Sequence, residues 1–136
     1  MTNATTTHLI RSLRRGEGER GSSSVEAIII LPVLFGIFFI IIQGAVWLQA
    51  GNIAQSAATS AYNAARLFDG TTSDGAAAGY ATADQAGSIL SNTVVTIDRT
   101  ATTVTVTVSG DAPTLIPGMT THVERTVSGP VERWVA

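Results

Sequence analysis

Three patterns of apolar and polar positions divide this chain. From Ala27 to Ile42 every residue is apolar, and a softer continuation follows from Gln43 to Ala50. No formal charge falls between Ala27 and Ala50, roughly 24 residues, or about 36 Å at the helical rise. That crosses a hydrocarbon core of about 30 Å. We place the span at about residues 27–48, with Trp47 suited to the membrane interface. Pro32 lies inside the run, removes one backbone donor and predicts a kink.

The second pattern is helical and built on small residues. Ala50, Ala54, Ala57 or Ala58, Ala61 and Ala65 recur at spacings of three and four. Small side chains at that spacing offer a smooth face on which another helix packs closely. Alanine is also simply the best helix former, and both readings stand on the pattern alone. Arg66 suits the last turn, and Gly70-Thr71-Thr72-Ser73 ends the helix, so an extended helix over residues 22–68 is expected. A second, shorter helix is predicted from about Asp74 to Leu90, weakened by Gly79 and Gly87 and ended by Asn92.

The third pattern has period two. Val104, Val106 and Val108 alternate with Thr103, Thr105 and Thr107, which marks a half-buried strand from Thr102 to Val108. Thr93 to Ile97 precedes it across a turn at Asp98-Arg99-Thr100-Ala101, predicting a hairpin. Pro113 and Pro117-Gly118 break the chain, Thr121 to Val127 alternates again, and Gly129-Pro130 closes that segment. The fold class is therefore α+β: a long apolar helix, a short helix and a small antiparallel three-stranded sheet. Large apolar residues are scarce after Ala50, so the sheet is expected to lean on the long helix or on a partner. The predicted organisation is a leader over residues 1–21, the long helix over 22–68, and a small α+β domain over 69–136.

Charge sets the orientation. The chain of 136 residues carries a formal net charge of -2, unevenly spread. Arg11, Arg14, Arg15 and Arg20 stand against Glu17 and Glu19 ahead of the span, whereas four arginines stand against seven carboxylates after it. Short arginine-rich flanks stay in the cytoplasm. A single-pass protein of the cell (plasma) membrane follows, with its N-terminus inside and its C-terminal domain extracytoplasmic. There is no cysteine to form a disulfide, and no basic patch beyond the leader, so nucleic acid is not an expected partner.

No catalytic constellation is legible. His8 and His122 have no metal-ligand spacing to other candidates, and neither a glycine-rich phosphate loop nor a nucleophile elbow is present. Ser22-Ser23-Ser24 have no base beside them, and His122 with Glu124 reads as two residues on one solvated strand face. No enzyme activity, metal or cofactor is expected.

The junction Arg20-Gly21-Ser22-Ser23-Ser24-Val25-Glu26 is more informative. If the bond after Gly21 is cut, Ser22 becomes the first residue and Glu26 the fifth. The order of basic leader, glycine, glutamate and apolar helix resembles a type IV prepilin. A carboxylate at the edge of the hydrocarbon needs a partner. Read without the resemblance, Glu26 sits among headgroups near a helix N-terminus that favours anions. The further order Val25-Glu26-Ala27, proline-bearing span, Gln43-Gly44-Ala45, Ala64-Ala65-Arg66, valine–threonine strands, Pro117-Gly118 and Gly129-Pro130-Val131-Glu132-Arg133 is similar to the TadE-like family of the tight-adherence (Flp) pilus system, in its actinobacterial form.

The resemblance implies a pseudopilin or minor pilin acting in pilus assembly, adhesion or a related secretion system. It also implies cleavage at Gly21–Ser22 by prepilin peptidase, an integral membrane aspartyl protease. Glu26 would pair with the new amino terminus of an adjacent subunit and so set helix register. The implied partners are other pilins and pseudopilins, the inner-membrane pilus platform, the peptidase and membrane lipid. Flp-type prepilins usually place tyrosine after the glutamate, and Ala27 stands there in this chain. Uncleaved, the protein would be a signal-anchored subunit whose extracytoplasmic domain binds a cell-envelope partner without joining a fibre. An ordinary signal peptide would carry an apolar stretch of about 7–15 residues, shorter than this run.

Overall fold

The computed structural model describes residues 17–135, with side chains from residue 23. Most of the leader therefore lies outside the described residues. Helix α1 spans Glu17–Ala65 and α2 spans Thr72–Gln85, followed by a 3-10 turn at Gly87–Ile89. Strands β1 (Ser91–Arg99), β2 (Thr103–Ala112) and β3 (Thr121–Pro130) form one antiparallel sheet in the order β1-β2-β3. The α+β class expected from the pattern is the one observed. The chain divides into two compact units between Ile40 and Ile41.

The first unit is helix. The backbone is already helical at Glu17, ahead of the expected start at residue 22. Glutamate and arginine are good helix formers, a preference that hydrophobic periodicity does not register. The helix runs on through Pro32, whose missing N–H leaves the carbonyl of Ile28 without its intrahelical donor.

The second unit, from Ile41, is held by small residues. On α1, Ala50, Ala54, Ala57, Ala58, Ala61 and Ala65 are 0% exposed, and Ile53 joins them. The same core takes Val104, Val106 and Val108 from β2 and Val123 from β3. These three β2 valines are the largest fully buried side chains. Helix α2 contributes Gly75, Gly79 and Ala83, one face at a spacing of four. A Cβ at Gly75 would lie 2.6 Å from Ile97 Cδ1 and 2.8 Å from Ala65 Cβ, and one at Gly79 3.1 Å from Ala61 Cβ. Gly79, which lowers helix propensity, thus joins Gly75 in letting α2 approach α1.

Several boundaries differ from the sequence expectation. Helix α2 starts on a capping box: the Thr71 hydroxyl accepts from Asp74 N–H at 3.1 Å, and the Asp74 carboxylate accepts from Thr71 N–H at 3.0 Å. It ends at Gln85, not Leu90, because Ala86 is its C-cap and Gly87 follows at φ 69. Asn92 is not the terminator; it sits at φ 50 where the β1–β2 register shifts between Ser91 and Val94. The hairpin turn lies later than Asp98–Ala101. Thr100 N–H donates to Thr103 O at 2.8 Å, and the Thr100 hydroxyl accepts from Thr103 N–H at 3.0 Å. Asp98 and Arg99 are strand residues.

Arg66 lies beyond the last turn of α1. Arg99 caps that helix instead, its Nε donating to Ala65 O at 2.9 Å and its Nη2 to Leu67 O at 3.3 Å. Arg66 stands 5.6 Å over the Tyr62 ring and pairs with Glu132 at 3.1 Å. Glu132 N–H also donates to Arg66 O at 2.8 Å, and Tyr62 Oη to Pro130 O at 3.2 Å, which fastens the end of β3 to the end of α1.

Candidate functional site

Among the described residues of its own unit, the apolar half of α1 is not covered by any other element. From Val25 to Ile41 its large side chains are exposed on all faces, up to 73% at Ile40. A helix of such composition must be covered by lipid or by other helices. By length and composition it is able to cross a membrane.

Glu26 stands at the edge of this surface, exposed, and among the described residues it makes no hydrogen bond or ion pair. Gly21 and Ser22 lie within the helical backbone of α1, so the bond between them has its polar groups inside the helical ladder. Gly21-Ser22-Ser23-Ser24 is the stretch of lowest helix propensity between Glu17 and Pro32.

The five alanines singled out from spacing, Ala50, Ala54, Ala58, Ala61 and Ala65, lie in the core of the second unit beside Ala57. They face the chain's own α2 and sheet residues, and no second chain is required to cover them. Among the described residues the exposed apolar surface is the large-residue segment of α1, while the alanine face is covered by α2 and the sheet.

Pattern reading missed two polar clusters. Gln43 Nε2 donates to Pro113 O at 3.1 Å, and its Oε1 accepts from Leu115 N–H at 2.9 Å. Nothing in the sequence marks a pairing across so long a separation. His122 pairs with Asp111 rather than Glu124: Nδ1 stands 3.1 Å from Asp111 Oδ1, and Asn92 Nδ2 donates to Asp111 Oδ2 at 3.0 Å. The register makes this pairing, since Asp111 lies opposite His122 and Ser109 opposite Glu124. The Asn92 amide, then the His122 ring, hold the Asp111 carboxyl below its ordinary value. The Ser91 hydroxyl donates to Asp111 O at 3.1 Å, a backbone acceptor, so it is not aligned on the imidazole as a nucleophile would be. Among the described residues no three ligating side chains group around a possible metal.

A helix long and apolar enough to cross a membrane, exposed over its apolar half, thus stands in a chain whose second unit is a small α+β fold. Residues 21–66 match the family model described as TadE-like protein. Over that segment the chain is similar to the TadE-like family, the family that the sequence resemblance named. The matched segment opens at Gly21 and closes at Arg66, one residue past the end of α1. No curated protein and no solved structure matches the chain.

Proposed function

We propose that the chain is a TadE-like pseudopilin or minor pilin, a structural subunit or assembly factor of a tight-adherence (Flp, type IV-like) pilus or a related secretion system. The carrying observation is the apolar half of α1, exposed on every face, with the exposed carboxylate of Glu26, which has no ion-pair partner among the described residues, at its start. In the membrane this surface contacts lipid; in an assembly it packs on the helices of other pilins or of the inner-membrane platform. A positive amino terminus on a neighbouring subunit meets Glu26 and sets the register between helices. The N-terminus is cytoplasmic and the residues after the span are extracytoplasmic. The chain does no catalysis of its own.

Prepilin peptidase acts on the bond between Gly21 and Ser22. That bond is helical in the intact chain, so cleavage goes through local opening, and the glycine and three serines lower the cost of opening there. The deciding measurement is the mature N-terminus, by mass spectrometry of protein purified from its own membranes, beside a Gly21→Ala variant. A start at Ser22 that disappears in the variant supports the pilin reading. A start at Met1 in both rejects processing and leaves a signal-anchored subunit that binds an envelope partner. A start beyond Ala50 rejects the membrane span as well.

A further inference from the structure

The β2–β3 connection, residues 113–120, carries no charged residue, and its Leu115, Ile116 and Met119 are 50%, 54% and 53% exposed. Two observations say what covers them. The first is the double hydrogen bond from Gln43, which joins the loop backbone to α1 at Pro113 and Leu115. Gln43 is the first polar residue after the apolar run and precedes Trp47 in the helix. About 20 residues of helix fill the hydrocarbon, so a core entered at Ala27 ends near Val46, and Gln43 lies about 5 Å inside it. An amide at that depth needs a partner for both its ends, and the loop backbone supplies both.

The second observation is that the loop satisfies much of its own backbone. Ile116 N–H donates to Thr114 Oγ1 at 3.0 Å, and Met119 N–H to Ile116 O at 3.2 Å across a turn that Gly118 permits at φ 79. Pro113 and Pro117 have no N–H to satisfy. Irregular backbone tolerates the acyl boundary only when its polar groups are bonded in this way.

We propose that the β2–β3 loop enters the lipid interface of the leaflet in which the apolar run of α1 ends, with Leu115, Ile116 and Met119 in contact with lipid. The protein then holds the bilayer at two places, the span and the loop. The inference rests on α1 spanning the membrane, and its test separates the two.

Because the chain has no cysteine, single-cysteine variants carry one probe each. Ile116→Cys, Met119→Cys, Phe38→Cys in the apolar run and Ala101→Cys in the β1–β2 turn are labelled with an environment-sensitive fluorophore. Each full-length variant is placed at one chain per lipid nanodisc, so no second copy can cover the loop, and quenching by nitroxide-bearing lipids is measured. Probes at 116 and 119 are expected to be quenched nearly as strongly as the probe at 38, and several-fold more than the probe at 101. Quenching at 38 with 116 and 119 behaving like 101 would overturn the loop proposal and leave the span standing. No quenching at 38 would overturn both. Gln43→Leu, which keeps the helix apolar but removes both bonds, should lower quenching at 116 several-fold without changing it at 38. Unaltered quenching at 116 in that variant would overturn Gln43 as the group that holds the loop in lipid.

Discussion

Helix α1 holds the largest apolar side chains of the protein on the outside and the smallest on the inside. Ile28 is 71% exposed and Ile40 73%, while Ala50, Ala54, Ala57, Ala58, Ala61 and Ala65 are each 0% exposed. A soluble helix would bury its isoleucines and expose its alanines. The inversion shows that the two halves are covered by different things. The first half is matched to surroundings that the described residues do not supply. The second is matched to the chain's own sheet and to α2, where small side chains on both helices allow close approach.

That contrast breaks most sharply under paired substitutions. Ala61→Phe forces a ring into a site with no room, since even a Cβ at Gly79 would stand 3.1 Å from Ala61 Cβ. The expected loss is about 3 kcal/mol of folding stability, the upper end for overpacking. It is read from denaturant unfolding of the full chain in mild detergent, followed by near-UV circular dichroism of Tyr62 and Tyr80. Phe38→Arg should do the reverse. Unfolding of residues 41–136 stays within about 0.5 kcal/mol, while insertion into a bilayer loses about 2.5–3.5 kcal/mol. If Phe38→Arg unfolded the second unit, the division of α1 into two environments would be wrong.

A smaller test sharpens the comparison inside the second unit. By helix propensity Gly75→Ala should stabilise α2 by about 1 kcal/mol. By packing it should destabilise, because the added carbon would lie 2.9 Å from Ala61 O as well as against Ile97 and Ala65. A backbone oxygen cannot swing aside, so packing wins, and a net loss of about 1–2 kcal/mol is expected in the same unfolding measurement. A stabilised variant would mean that α2 sits loosely on α1.

Much of this division was legible in the sequence. The uncharged run and the alanines at spacings of three and four gave α1 its two characters, and the valine–threonine alternation gave β2 its inner face. Less was legible where one side chain does a job for a distant segment. Arg99 reads as a turn residue until it is seen capping α1. Arg125 interrupts the apolar alternation of β3, yet it lies opposite the buried Val108, beside Gly51 of α1. Gly79 reads as a weakness until its contact with Ala61 is known. The alternatives left open for the alanines also needed tertiary information, since spacing says that a face exists but not whether its partner is the same chain.

The cap on α2 gives a pH-dependent test. Thr71→Val removes the hydroxyl that receives Asp74 N–H and should cost about 1 kcal/mol, the usual worth of an N-cap side chain. The Thr71 hydroxyl, then its backbone N–H, hold the Asp74 carboxyl below its ordinary value of 3.8. A lowered folded value means that the carboxylate contributes stability above about 3.8 and loses it as the pH falls through the folded value. Asp74→Asn should therefore differ from the parent near neutral pH and converge with it in acid, below the ordinary carboxylate range. A gap that widened on acidification would reverse the assigned sign.

The smallest effect is expected where the C-terminal segment meets the end of α1. Arg66 and Glu132 lie 3.1 Å apart with side chains 37% and 45% exposed, so solvent screens their attraction. The pair is worth about 0–1 kcal/mol. The backbone bond from Glu132 N–H to Arg66 O persists when the charges are removed, and the Tyr62 hydroxyl bond to Pro130 O is separate from both. A double-mutant cycle of Arg66→Gln and Glu132→Gln should thus give a small coupling that fades as salt is raised. Tyr62→Phe should cost as much or more at any salt, because its bond is neutral. If the cycle instead returned a large coupling that salt did not weaken, this end of the second unit would be held by charge. The account of a domain fastened by small-residue packing and backbone hydrogen bonds would then fail at the junction where α1 ends.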